Sequence, residues 1–202
     1  MRYIALLRGI NVGGNTMIKM AELKAVFEKC GFENVTTYIN SGNLAFDVSQ
    51  PARQKPARSK GINVSSPSVS SPHISKGSLE NDIVSKIETA IENEFGKQVP
   101  VMIREQSAIS DILANNPFDG KFESHKEMHV LFMKDEMPLE KQQQLIAQQT
   151  QDERFAVRDR EIYCHLKLGV ADSILGKGFI DNKLKVPITG RNWRTVQKLA
   201  EL

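Results

Sequence analysis

Apolar side chains between Tyr3 and Arg8 occupy both alternation phases, Tyr3, Ala5 and Leu7 on one and Ile4 and Leu6 on the other. That pattern predicts a strand covered on both faces. Met20, Leu23, Val26, Phe27 and Cys30 then recur at helical spacing, predicting a helix near Lys19 to Cys30 that Gly31 ends in a left-handed C-cap. Two strand-like runs, Val35 to Ile39 and Leu44 to Val48, flank Asn40-Ser41-Gly42-Asn43, where glycine and asparagine accept the positive φ of a hairpin turn. Leu79, Ile83, Ile87, Ile91 and Phe95 step by four along a second helix closed by Gly96. A strand at Val99 to Ile103 and a short helix around Ser107 to Asn115 follow, and Asn116-Pro117 breaks the chain.

The second half repeats this order. Met128 to Met133 reads as a strand apolar on both phases, followed by a Gln-rich helix beginning at Pro138 and by strands Arg154 to Val157 and Ile162 to Leu166 around an Asp159-Arg160 turn. A helix near Ala171 to Gly178, an extended piece at Lys185 to Ile188 and a last helix from Asn192 to Leu202 complete the pattern. Each β-α-β-β-α-β set predicts a ferredoxin-like unit, so the expected class is α+β with an internal duplication. The expected boundaries are residues 1–118 and 119–202. Because a ferredoxin-like sheet leaves one face open and these strands are apolar on both, the second face of each sheet is expected to be occluded, with the other half as the cover.

Residues 49–78 interrupt the first unit with serine, proline and basic side chains and almost no large apolar groups, so they cannot build a core and are expected to form a loop. Lengthening a short connection to that extent costs only about 2 kcal/mol of closure entropy. The rest of the composition is that of an ordinary globular protein, 40% hydrophobic and 25% charged. A net charge of +3 is too small to imply nucleic acid unless the positive charge clusters. Cys30 and Cys164 show no metal or redox spacing and lie in apolar segments, as buried thiols of a reducing compartment would. With no apolar run of membrane-spanning length and only five residues between Arg2 and Arg8, the expected location is the cytoplasm, without membrane contact.

The chemistry that stands out is in two polar stretches. LRGINVGGNTMIKM at 7–20 places a glycine-rich turn between strand and helix, but Gly9-x-x-x-Gly13-Gly14 matches neither the dinucleotide fingerprint nor the P-loop. Backbone N–H groups freed at such a turn can face an anion. A helix terminus contributes only about 0.3–1 kcal/mol towards that, so cationic help is needed, with Arg8 and Lys19 nearest. Taken alone, the loop is more simply a corner. In Thr189-Gly190-Arg191-Asn192-Trp193-Arg194-Thr195, Thr189 or Asn192 can cap the last helix and Trp193 can anchor the core, whereas Arg191 lacks an evident structural use. His129 and His165 fall on strands expected to be neighbours, but no further ligand set accompanies them as a metal site requires. Ser41 has no evident His and Asp partners for a nucleophile.

RGINVGG at 8–14, TYINSGNLAF at 37–46, NNPF at 115–118 and TGRNWRTVQKL at 189–199 together resemble the bacterial family called domain of unknown function 1697. The resemblance covers nearly the whole chain apart from the Ser/Pro-rich insertion, and it implies a pair of ferredoxin-like units but no established activity. By match it singles out Arg8, Asn11, Gly13 and Gly14, then Tyr38, Ser41, Gly42 and Asn43, then Arg191, Asn192, Trp193 and Thr195. The chain departs from the family's usual form by its insertion and by Asn15, where a lysine is common. The expectation is that these residues converge on a cleft for a small anionic or nucleotide-like ligand, in which Arg8 and Arg191 hold charge, Gly13 and Gly14 admit backbone contacts, and Asn11, Tyr38 and Asn43 orient the ligand. The alternative is a nucleic-acid-binding or protein-partner module using the basic insertion. Neither reaction nor cofactor follows from the sequence.

Overall fold

The computed structural model describes residues 1–13, 16–49 and 76–202. Gly14, Asn15 and most of the Ser/Pro-rich stretch therefore lie outside the described residues. The chain is an α+β protein built on two four-stranded antiparallel sheets. In the first, β1 (Arg2–Leu7) pairs with β3 (Asn43–Asp47) and β4 (Val101–Glu105), and β2 (Glu33–Tyr38) flanks β3, giving the order β2-β3-β1-β4. In the second, β5 (Met128–Met133), β6 (Glu153–Arg158), β7 (Glu161–Leu166) and β8 (Ile188–Asn192) have the order β6-β7-β5-β8. The helices among the described residues are α1 (Met20–Lys29), α2 (Lys76–Phe95), α3 (Gln106–Ala114), α4 (Leu139–Ile146), α5 (Trp193–Ala200) and one π-helical turn, Phe179–Lys183.

The two phases of β1 go to different cores. Tyr3, Ala5 and Leu7 pack with Leu23, Phe27, Ile83 and Ile87 beneath α1 and α2. Ile4 and Leu6 face the other way, joining Met102, Ile109 and Ile112 against Met128, Val130, Phe132 and Tyr163 of the second sheet. Trp193, Val196 and Leu199 of α5 complete that shared layer. On the far side of the second sheet Leu131, Met133, Leu145, Phe155 and Ile180 form a third core. Doubly apolar strands are thus explained by a layer common to both halves.

Gly31 at φ +81° closes α1 through the bonds Gly31 N to Glu28 O and Phe32 N to Phe27 O, with Phe32 packed on Phe27. Two expectations in the second half need correction. The segment 171–178 is a series of turns, because the Ser173 hydroxyl donates to Val170 O at 2.7 Å and accepts from the backbone N–H of Leu175 and Gly176, displacing the helical ladder. The extended piece expected at 185–188 gives way to β8, which starts at Ile188 and carries Thr189 to Asn192 against His129 to Phe132.

Candidate functional site

Arg191 lies mid-strand and is only 6% exposed, on a face turned towards the end of β1. Its Nε donates to Asn43 Oδ1, Nη1 to Thr189 Oγ1 and Gly190 O, and Nη2 to Leu7 O at 3.0 Å and Ser41 O at 2.9 Å, with a longer bond to Gly42 O. The guanidinium therefore spends its donors on protein and ties the β2–β3 turn to the second sheet. Burial lowers its pKa to about 10, still far above neutrality, and no carboxylate among the described residues opposes that effect. A buried positive charge surrounded by neutral oxygens remains at this point.

The other sheet carries the counterpart. Ile4 pairs with Arg104 and Leu6 with Asn43, while Val130 pairs with Arg191 and Phe132 with Glu161, so Arg104 and Asn43 hold the registers that Arg191 and Glu161 hold opposite. Arg104 reaches across to Glu161 at 2.6 Å, to Met133 O and to Arg160 O, and donates to Ile103 O beside it. Each arginine grips the hairpin of the other half. The difference is that Arg104 meets a carboxylate and Arg191 an amide.

Around Arg191 the first loop is held by Asn11, whose amide donates to Ile18 O and Asn40 O and accepts from Ile18 N. Asn11 and Ile39 take φ of +55° and +47°, and Gly9, Gly13 and Gly42 are also left-handed. For Ile39, a β-branched residue 49% exposed, that conformation is strained. Beside these turns a hollow of 530 Å³ is lined by Asn11, Asn40, Lys19, Glu22 and the apolar run Met17, Ile18 and Met20. Met17, which lines it, and Val12, next to Asn11 in the chain, are both exposed.

Of the expected site residues, Ser41, Asn43 and Arg191 touch directly, and Asn43 Nδ2 donates to Tyr38 O and Ser41 Oγ. Asn11 joins them through Asn40. Arg8 is adjacent in the chain but turns its guanidinium to Asp181 at 2.7 Å. Asn192 caps α5 by accepting from Thr195 N, and Trp193 is buried edge-on to Phe122, so neither side chain faces the hollow. His129 pairs with Cys164 and His165 with Met128, in consecutive registers, so the imidazoles project from opposite faces and cannot share a metal. Among the described residues no group of three potential ligands forms. Sequence reasoning missed Asp181, the Leu7 carbonyl and the Arg104–Glu161 pair. Arg104, ending an apolar strand, was the one signal.

This two-sheet α+β architecture recurs in the conserved bacterial protein SP0830 from Streptococcus pneumoniae, which is 23% identical and superposes with a TM-score of 0.67 over 99% of this chain and 97% of that one. The family described as a protein of unknown function, DUF1697, matches residues 1–65 and 74–163, and the chain belongs to it. No curated protein matches. No helix among the described residues is long and apolar enough to cross a membrane.

Proposed function

We propose that the chain is a binding protein for a small anionic or nucleotide-like ligand, taken at the turn cluster formed by residues 8–13 and 38–43. The scaffold in this reading is a cytoplasmic pair of ferredoxin-like units, residues 1–118 and 119–202, related by duplication. The matching strand orders and the exchanged arginines support the duplication. The observation that carries the ligand class is Arg191, a buried cation facing Asn43 where its counterpart faces a carboxylate. Its uncompensated charge biases the cluster towards anions. In this reading Lys19, Asn40 and Ser41 meet the ligand, Asn11, whose amide N–H groups are spent on Ile18 O and Asn40 O, shapes the loop, and Arg191 and Asn43 act from behind as positioning residues. Asn192 and Trp193 serve the scaffold.

A thermal-shift screen of phosphates, nucleotides and carboxylates tests this, using wild type, Lys19→Gln and Asn43→Asp. A ligand at a hundred times its Kd stabilises wild type by about 2.7 kcal/mol. Lys19→Gln weakens the shift, and Asn43→Asp, which supplies Arg191 with a carboxylate, removes it while the protein stays folded. Absence of any stabilising ligand for wild type sinks the reading. A second reading, docking of a protein partner, is favoured by the exposed apolar trio Val12, Met17 and Ile39. Loss of pull-down on changing Ile39 to Asn would point there.

A further inference from the structure

A different hollow, of 460 Å³, opens at one end of the β6–β7 face and carries no carboxylate among its lining residues. Its walls hold Lys121, Arg154 and Lys167, and none of these has an ion-pair partner among the described residues. Arg154 is the direct cross-strand partner of His165, so both project from the face that also carries Tyr163. Lys167 is fixed by its backbone N–H to Asp152 O at 3.0 Å, and Lys121 Nζ reaches only the Pro117 carbonyl at 3.3 Å. Like charges gathered in one hollow repel unless a counter-charge enters.

Surface cations alone are usually just solvated. What distinguishes this place is His165, which lines the hollow, is 5% exposed, and has an Nε2 without a hydrogen-bond partner. Glu127 Oε2 stands 3.5 Å from that nitrogen, an ion-pair distance without hydrogen-bond geometry. A buried polar atom left without a hydrogen bond calls for a partner. Gln149 spends its side-chain oxygen on Phe155 N, which leaves its amide N–H groups for a further acceptor, and the Phe118 ring, tilted 6.0 Å from the imidazole, gives one apolar wall.

We propose that this hollow is a second site, separate from the turn cluster, which takes a phosphate group: Lys121, Arg154 and Lys167 hold its charge and His165 Nε2 donates to one of its oxygens. The phosphate can belong to a free phosphorylated small molecule or to a nucleic-acid backbone. NMR of the His165 imidazole, identified by its loss in His165→Gln, tests this while inorganic phosphate, an adenine nucleotide or a single-stranded oligonucleotide replaces chloride at constant ionic strength. The His165 signals move in wild type, and in Arg154→Gln/Lys167→Gln the apparent affinity falls at least tenfold. The strongest response among the three probes assigns the source. Asn43→Asp leaves the response unchanged, which separates this site from the one proposed above. Imidazole signals unmoved by all three probes, an unchanged affinity in the double variant, or loss of the response in Asn43→Asp would overturn the inference.

Discussion

Arg104 and Arg191 show how a single neighbouring side chain divides two otherwise equivalent positions. Moving a guanidinium out of water costs several kcal/mol, offset only by good geometry and full hydrogen bonding. Arg104 has both, in a 2.6 Å pair with Glu161 and three carbonyl bonds. Arg191 has the hydrogen bonds without an opposite charge among the described residues, so its positive field reaches the turn cluster. Next to the first pair, Tyr163 is buried and donates to Ile112 O at 3.0 Å, and burial, reinforced by Glu161, pushes its pKa up to about 12. An unfolded tyrosine titrates near 10. Between those values the folded chain keeps a proton that the unfolded chain loses, so stability present at lower pH is lost as pH rises, by about 2–3 kcal/mol from this group. Tyr163→Phe removes that slope, and at neutral pH it costs about 1 kcal/mol because Ile112 O loses its donor. Urea midpoints at pH 8 and pH 11 measure both effects, with about half of the alkaline loss reached by pH 11. The same alkaline loss in the variant would show that Tyr163 is not its source.

Elements are held at their ends by a few backbone positions, and Gly42 in the β2–β3 turn is the tightest of these in the candidate site. It sits at φ +78°, and a Cβ there would lie 2.8 Å from both Leu7 Cβ and Ile10 Cδ1. Gly42→Ala therefore combines backbone strain with overpacking, each of order 1–3 kcal/mol, and is expected to cost about 2–4 kcal/mol. Gly31→Ala, at φ +81° but with nothing within 4 Å, is expected to cost only about 1 kcal/mol. Denaturation of the two variants side by side measures the difference, and equal losses would remove the packing argument. The elements themselves were largely legible because their signals are local: the helical stripe of α1 with its glycine cap, the two phases of β1, and the turns at Asn40-Ser41-Gly42 and Asp159-Arg160. The 171–178 helix was misread because Ser173 offers the backbone competing bonds that apolar spacing does not reveal. β8 was misplaced because Thr189-Gly190-Arg191 has turn-like composition and becomes a strand only by pairing with β5. For the same reason the convergence of Ser41, Asn43 and Arg191 was readable from matched motifs, but the saturation of Arg191 by carbonyls was not. Backbone carbonyls leave no trace in residue identity.

At the scale of the molecule, the layer between the sheets decides whether either half can stand alone. Ile4, Leu6, Ala45, Met102, Ile109 and Ile112 bury against residues 128–199. Uncovering the larger of these side chains costs about 1.5–3 kcal/mol each at full exposure, so the five besides Ala45 represent on the order of 10 kcal/mol, comparable to the whole stability of a typical domain. Separation also strands Arg104 without Glu161 and leaves the carbonyls of Leu7, Ser41 and Gly42 without Arg191. Residues 1–118 expressed alone are therefore expected to lack a dispersed amide NMR spectrum, and the same holds for residues 119–202. Mixing the two fragments restores the spectrum, because the shared core and both arginine clamps reform together. In the intact chain the slowest-exchanging amides of β1 and β5 share one opening free energy, since neither sheet keeps its second face covered after the other unfolds. A fragment that folds cooperatively by itself, or sheets that exchange with clearly different free energies, would mean that the halves are independent domains in contact, and the arginine clamps would then join finished units without being part of what folds them.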